Sequence, residues 1–180
     1  MTEQNLYKLR YPIGEFIKPE TITSQHIKDW IIDIEAFPNA IIEVTKNLNK
    51  TQLNYKYRPK GWTIKQVVHH CADSHINSLL RFKLALTEDE PTIKPYFEER
   101  FAELIDYTQP IDATLLILKG IHKKLGIILR NLNQDELQRQ FIHPEHGKRF
   151  SLKETIGVYA WHSNHHLAHI KQALKFNGEF

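Results

Sequence analysis

At 180 residues, with 41% hydrophobic and 25% charged side chains, the chain suits one soluble domain with its own core, and no linker is needed to explain its length. A net charge of +3, with Lys and Arg scattered among Asp and Glu, provides no basic block, so nucleic acid is not an expected partner. The single cysteine, Cys71, excludes an internal disulfide framework and a cysteine-rich zinc ribbon; with no apolar leader and no run of membrane-spanning length, no membrane partner is expected and the cytoplasm is the default compartment.

Residues 1–22 hold Pro12, Gly14 and Pro19 and are expected to form an extended arm. From about Thr23 to Leu48, Trp30, Ile31, Ile34, Ile41 and Val44 follow helical spacing, with Pro38 expected to kink or split the helix because it lacks a donor and crowds the preceding turn. A second helix starts at Thr63, which has Gln66 three residues on in the capping-box pattern, and should run to about Leu86. A Pro91/Pro95 loop and a short helix near Glu98–Ile105 follow. Pro110 then opens a third long helix, in which Leu115, Leu118, Ile121, Leu125, Ile128 and Leu129 repeat at helical intervals. Residues 140–150, with His143, Pro144, His146 and Gly147, suggest a turn or small hairpin. Ser151 and Glu154 form a second capping-box pattern, opening a last helix that should end near Phe176, before Gly178. Four long helical stretches without a strong strand signal indicate an all-α bundle, a fold that places metal sites on side chains projecting between facing helices.

The last helix carries the clearest chemical signal. Trp161-His162-Ser163-Asn164-His165-His166-Leu167-Ala168-His169 contains four histidines in nine residues, forming two interleaved i,i+4 pairs, His162 with His166 and His165 with His169. Residues four apart on a helix lie one above the other, so either pair can offer two nitrogens to one ion, and imidazole suits Zn, Ni, Cu and Fe. Helical phase places Lys153, Asn164, Lys171 and Lys175 on the solvent side and mildly favours His162 and His166 as the inward pair. On the second helix, His70, Asp73, Asn77 and Arg81 form a polar stripe beside Val67 and Cys71. There His70 can supply a third nitrogen, Asp73 can orient a ligand or pair with Arg81, and Arg81 can bind a substrate carboxylate. His26, His75, His122 and His146, taken singly, are expected to be ordinary hydrogen-bonded histidines. Trp62, Tyr159 and Trp161 are candidates for the wall of an apolar pocket, or for plain core packing.

Several runs of the chain match a known pattern. Tyr11-Pro12-Ile13-Gly14-Glu15, Gly61-Trp62-Thr63 through His69-His70, Ala72-Asp73-Ser74-His75 with Asn77-Ser78 and Arg81-Phe82-Lys83-Leu84, and the closing Tyr159-Ala160-Trp161-His162-Ser163 with His165-His166 and Ala168-His169-Ile170 resemble the YfiT-type metal-dependent hydrolases of the DinB-like superfamily. The similarity runs in the same order along essentially the whole chain. It implies a single DinB-like four-helix bundle over residues 1–180, homodimeric, with one divalent ion per chain, zinc first and nickel also compatible. By motif position it implies His70, His165 and His169 as ligands, rather than the pair that helical phase favours. Asn164 stands where the family often has histidine and is not among the matched ligands.

Three nitrogens with an open position are the pattern of a catalytic rather than a structural zinc site. The expected activity is metal-dependent hydrolysis of a small molecule, with water activated at the ion. The resemblance extends to the bacillithiol transferases, so S-transfer from a low-molecular-weight thiol is the alternative. A non-catalytic bundle, closed by a fourth ligand from His162, His166 or His143, is a third possibility. No general acid or base is identifiable from the sequence.

Overall fold

The structure, a computed structural model, describes residues 2–145 and 147–180; His146 lies outside the described residues. The arm begins as a helix, α1 (Glu3–Arg10), not as extended chain. Thr2 caps it by accepting from the Asn5 amide, and Glu3 in its first turn with Lys8 and Arg10 in its last oppose the helix dipole. The bundle helices are α2 (Ser24–Thr45), α4 (Ile64–Thr87), α6 (Asp112–Arg130) and α8 (Leu152–Lys175). Between them come the short helices α3 (Lys50–Leu53), α5 (Glu98–Phe101) and α7 (Gln134–Gln138), and a 3-10 turn over Ile105–Thr108. The expected hairpin is present: β1 (Gln140–His143) pairs antiparallel with β2 (Lys148–Ser151), Phe141 opposite Phe150.

The caps behave as the sequence suggests. Thr63 and Gln66 close a reciprocal box at the start of α4. Ser151 caps α8 through the Glu154 amide, but the Glu154 carboxylate lies 3.5 Å from Lys18 and so ties the arm to the helix. Pro38 does not split α2; the helix runs through it and the ring is buried.

The four long helices pack as the pairs α2–α8, α8–α4, α4–α6 and α6–α2, so α2 and α4, successive long helices in the chain, sit diagonally across the bundle. The core divides into two apolar halves. One gathers Ile31, Ile34, Phe82, Leu125, Leu129, Leu152 and Ile156; the other gathers Phe37, Ile41, Val67, Val68, Cys71, Leu118 and Ile170. Along α4, α6 and α8 the residues between these halves include His75, His122, His162 and His166, so a histidine layer crosses the middle of the bundle. No helix among the described residues is long and apolar enough to cross a membrane.

Candidate metal centre

Where α4 faces α8, His70 meets His162 and His166. One ring nitrogen from each lies within 4.8 Å of the other two, and the Nε2 atoms of His70 and His162 are 3.3 Å apart. Two nitrogens each about 2.0–2.1 Å from a tetrahedral ion are themselves about 3.3–3.4 Å apart, so the spacing fits a shared cation. His70 is 2% exposed, and its Nδ1 is buried without a hydrogen-bond partner. His165 Nδ1 is likewise buried without a partner, so these orphaned atoms mark a polar cluster without choosing which histidines face an ion.

Two chains of hydrogen bonds orient the α8 pair. Pro38 has no N–H, so the Ile34 carbonyl four residues before it has no donor from its own helix. His122 Nδ1 fills that gap at 2.5 Å. A carbonyl only accepts, so Nδ1 carries the His122 proton, and Nε2 of the neutral ring accepts from His75 Nδ1 at 2.6 Å. His75 Nε2 then accepts from His162 Nδ1 at 3.1 Å, which leaves the His162 Nε2 lone pair facing His70. The second chain runs outward. His169 Nε2 donates to the Arg10 carbonyl at 3.0 Å, so its Nδ1 accepts from His166 Nδ1 at 3.4 Å. Each chain ends on a backbone carbonyl and selects the tautomer that presents Nε2, as carbonyls and carboxylates do behind metal-bound imidazoles.

Electrostatics point the same way. Burial lowers the pKa of His70 to about 4, helped by the neighbouring His165 ring. His162 and His166 are held well below the ordinary value, first by burial and then by the surrounding imidazoles. All three are therefore neutral at pH 7, the form a metal ion requires.

Of the ligands implied by resemblance, His70 belongs to this cluster of converging nitrogens; the pair that meets it there is His162 and His166, the one favoured by helical phase, while His165 and His169 lie beside it on the same helix. His165 sits toward the edge of α8 because the arm covers it: its ring stacks on Trp161 at 4.4 Å, with Tyr11 at 5.9 Å. His169 stacks on Tyr57 at 3.8 Å and is committed to Arg10. The polar stripe of α4 also divides. Asp73 neither orients His70 nor pairs with Arg81, but accepts from the Tyr107 hydroxyl at 2.7 Å, and Asn77 bonds back to the Asp73 carbonyl. Cys71 is fully buried among apolar residues, its thiol pKa raised by burial. His69 accepts from Thr114 and donates to the Gln109 carbonyl, a structural role. Asn164 reaches Asp33 on α2 at 3.0 Å.

Sequence reasoning missed the parts played by His75 and His122. They are hydrogen-bonded core histidines as expected, but their bonds lead to a candidate ligand. The only available signal was Pro38, which marks the one carbonyl of α2 that needs an outside donor there.

The model of the DinB superfamily matches residues 33–170. The chain belongs to that superfamily. A Bacillus cereus (strain 03BB102) protein named "Putative metal-dependent hydrolase" is 49% identical over 167 residues, covering 93% of this chain and 96% of its own. A Bacillus anthracis (strain A0248) relative of the same name is 48% identical over the same length. Among solved structures, YfiT from Bacillus subtilis, described as a probable metal-dependent hydrolase with an unusual four-helix bundle topology, superposes with a TM-score of 0.92 at 39% identity, covering 95% of this chain and 98% of that one.

On this DinB-superfamily scaffold a cavity of about 750 Å³ lies against the histidine cluster. His162, Ser74, Tyr159 and Arg81 form its polar end, and Phe97, Phe141, Phe150 and Val158 line it elsewhere. Of the aromatic residues considered from sequence, only Tyr159 reaches it; Trp62 packs against His70 at 4.7 Å, and Trp161 donates to the Gly14 carbonyl of the arm. His143 is in the cavity wall and outside the three-histidine cluster.

Proposed function

We propose that the protein is a metal-dependent hydrolase in which His70, His162 and His166 hold one divalent ion, zinc or nickel by donor chemistry, beside a cavity sized for a small molecule. The observation that carries this is the convergence of three neutral imidazoles from two helices at the wall of that cavity. When bound, the ion supplies a Lewis acid that ionises a water at neutral pH. The chain's own part is to present the ligands and shape the surroundings. His75 and His169 hold the α8 imidazoles as acceptors toward the ion, and the Ser74 hydroxyl lies 3.4 Å from His162 Nε2. Only three such ligands converge among the described residues, which favours an exchangeable position over a closed structural site.

Elemental analysis of purified protein beside His162→Ala and His165→Ala tests the site. Near-stoichiometric metal that is lost in the first variant and kept in the second supports it, and the reverse moves the site to the other pair. Turnover of small esters and amides by the metal-loaded protein, assayed with and without an added low-molecular-weight thiol, then separates hydrolysis from S-transfer. Activity only with the thiol replaces the hydrolase reading.

A further inference from the structure

One of the two arginines lining the cavity beside His162, Arg81, has no ion-pair partner among the described residues. Arg81, eleven residues after His70 on α4, lines the same polar end. One of its nitrogens, Nη1, donates to the Tyr159 hydroxyl at 3.1 Å. Its Nε is buried and has no partner. The four ion pairs found among the described residues do not include it. Asp73, the acidic residue nearest it along α4, is occupied by Tyr107. Glu98, Glu99 and Glu145 also line the cavity, yet none lies within ion-pair distance of the guanidinium.

Leaving a buried donor of a permanent charge unsatisfied is costly, and more so beside a site read as holding a divalent ion. A planar guanidinium that lines a cavity and has no carboxylate of the chain paired with it suits a carboxylate from outside. The facing walls, Phe97, Phe141 and Phe150, are suited to an apolar or aromatic body. We propose that Arg81 anchors a substrate carboxylate, so that the cavity takes small carboxylic acids with an apolar or aryl body, their reacting group directed toward His162. The direction toward His162 rests on the metal-site reading, whereas the anion site stands on the cavity and the unpaired guanidinium alone.

The test is calorimetric titration of 3-phenylpropionate and its uncharged analogue 3-phenylpropanamide into the metal-loaded protein, Arg81→Met, Arg81→Lys and His162→Ala, with metal content measured on each sample. The wild type is expected to bind the acid at least about tenfold tighter than the amide. Arg81→Met loses that preference with metal content unchanged, and Arg81→Lys, which keeps the charge but not the fork, retains a weaker one. Metal-depleted His162→Ala keeps the preference, so failure of the metal reading leaves this result legible. Equal affinities in the wild type, no saturable binding of the acid, or a preference undiminished in both Arg81 variants overturns the proposal. A preference that vanishes in His162→Ala but survives in Arg81→Met assigns the carboxylate to the metal and overturns it as well.

Discussion

His162/His166 and His165/His169 are two pairs of one residue type at one spacing on one helix, yet their surroundings differ completely. The first pair faces α4 across the bundle, with His70 opposite and acceptors behind both rings. Around the second pair, the His165 ring lies against Trp161 of its own helix and Tyr11 of the arm with its Nδ1 unpartnered, and His169 stacks on Tyr57 and bonds the Arg10 carbonyl of the arm. Spacing therefore establishes that two imidazoles can chelate; what stands opposite them differs between the pairs, and the proposed site uses the pair that meets His70. One contact links the pairs, because His169 Nδ1 lies 3.4 Å from His166 Nδ1.

The largest test of this contrast is ligand deletion. His166→Ala should lower metal affinity by more than about a hundredfold, against less than about threefold for His165→Ala, by competition with a chromogenic chelator. Comparable losses in the two variants would remove the distinction between the pairs.

Breaking the supporting chains should cost less. His122→Leu removes the group that holds His75, and an affinity loss of about tenfold is expected, with the His162 ring nitrogens losing their single-tautomer pattern in 15N NMR. Pro38→Ala restores an N–H that competes for the Ile34 carbonyl; a loss of a few-fold is expected even though alanine is the better helix former. Unchanged affinity in both variants would show that the chain to Ile34 does not orient the site.

The metal-free protein should be acid-sensitive in a defined window. His70 and His122 are each lowered to about 4 by burial, against an ordinary value of 6.5. The unfolded chain thus takes up protons that the folded one refuses. Stability is full above about pH 6.5 and declines as pH falls toward 4, by on the order of a few kcal/mol, in thermal melts of chelator-treated protein. Bound metal should raise that curve without flattening it, because an occupied ligand takes up no protons either.

The smallest effect sharpens the arm's side of the comparison. A Cβ at Gly157 would stand 2.9 Å from atoms of both Phe16 and Trp30, tighter than packed atoms allow. Gly157→Ala should destabilise the fold by about 1–2 kcal/mol in urea unfolding while sparing metal affinity.

Much of the fold was legible because its signals are local. Thr63–Gln66 and Ser151 mark helix starts, and the apolar period of α6 and the turn residues at 143–147 are read within a few residues of themselves. Helix α1 was hidden because Pro12 and Gly14 suggest an extended arm, although the cap and charges that make the helix lie before them. Asp73 was misplaced because a stripe on α4 does not reveal that Tyr107 lies beside it.

The sequence by itself determined a mainly helical chain with a small hairpin, a composition with one cysteine, and a metal-capable histidine cluster, since composition, periodicity and i,i+4 spacing are properties of neighbours along the chain. Only the tertiary structure decided that His162 and His166 meet His70, that His75 and His122 carry the chain of bonds to Ile34, and that Arg81 faces the cavity without a counter-ion. Each of these depends on which helices lie side by side and how each is turned about its axis, and those are outcomes of packing the whole bundle at once.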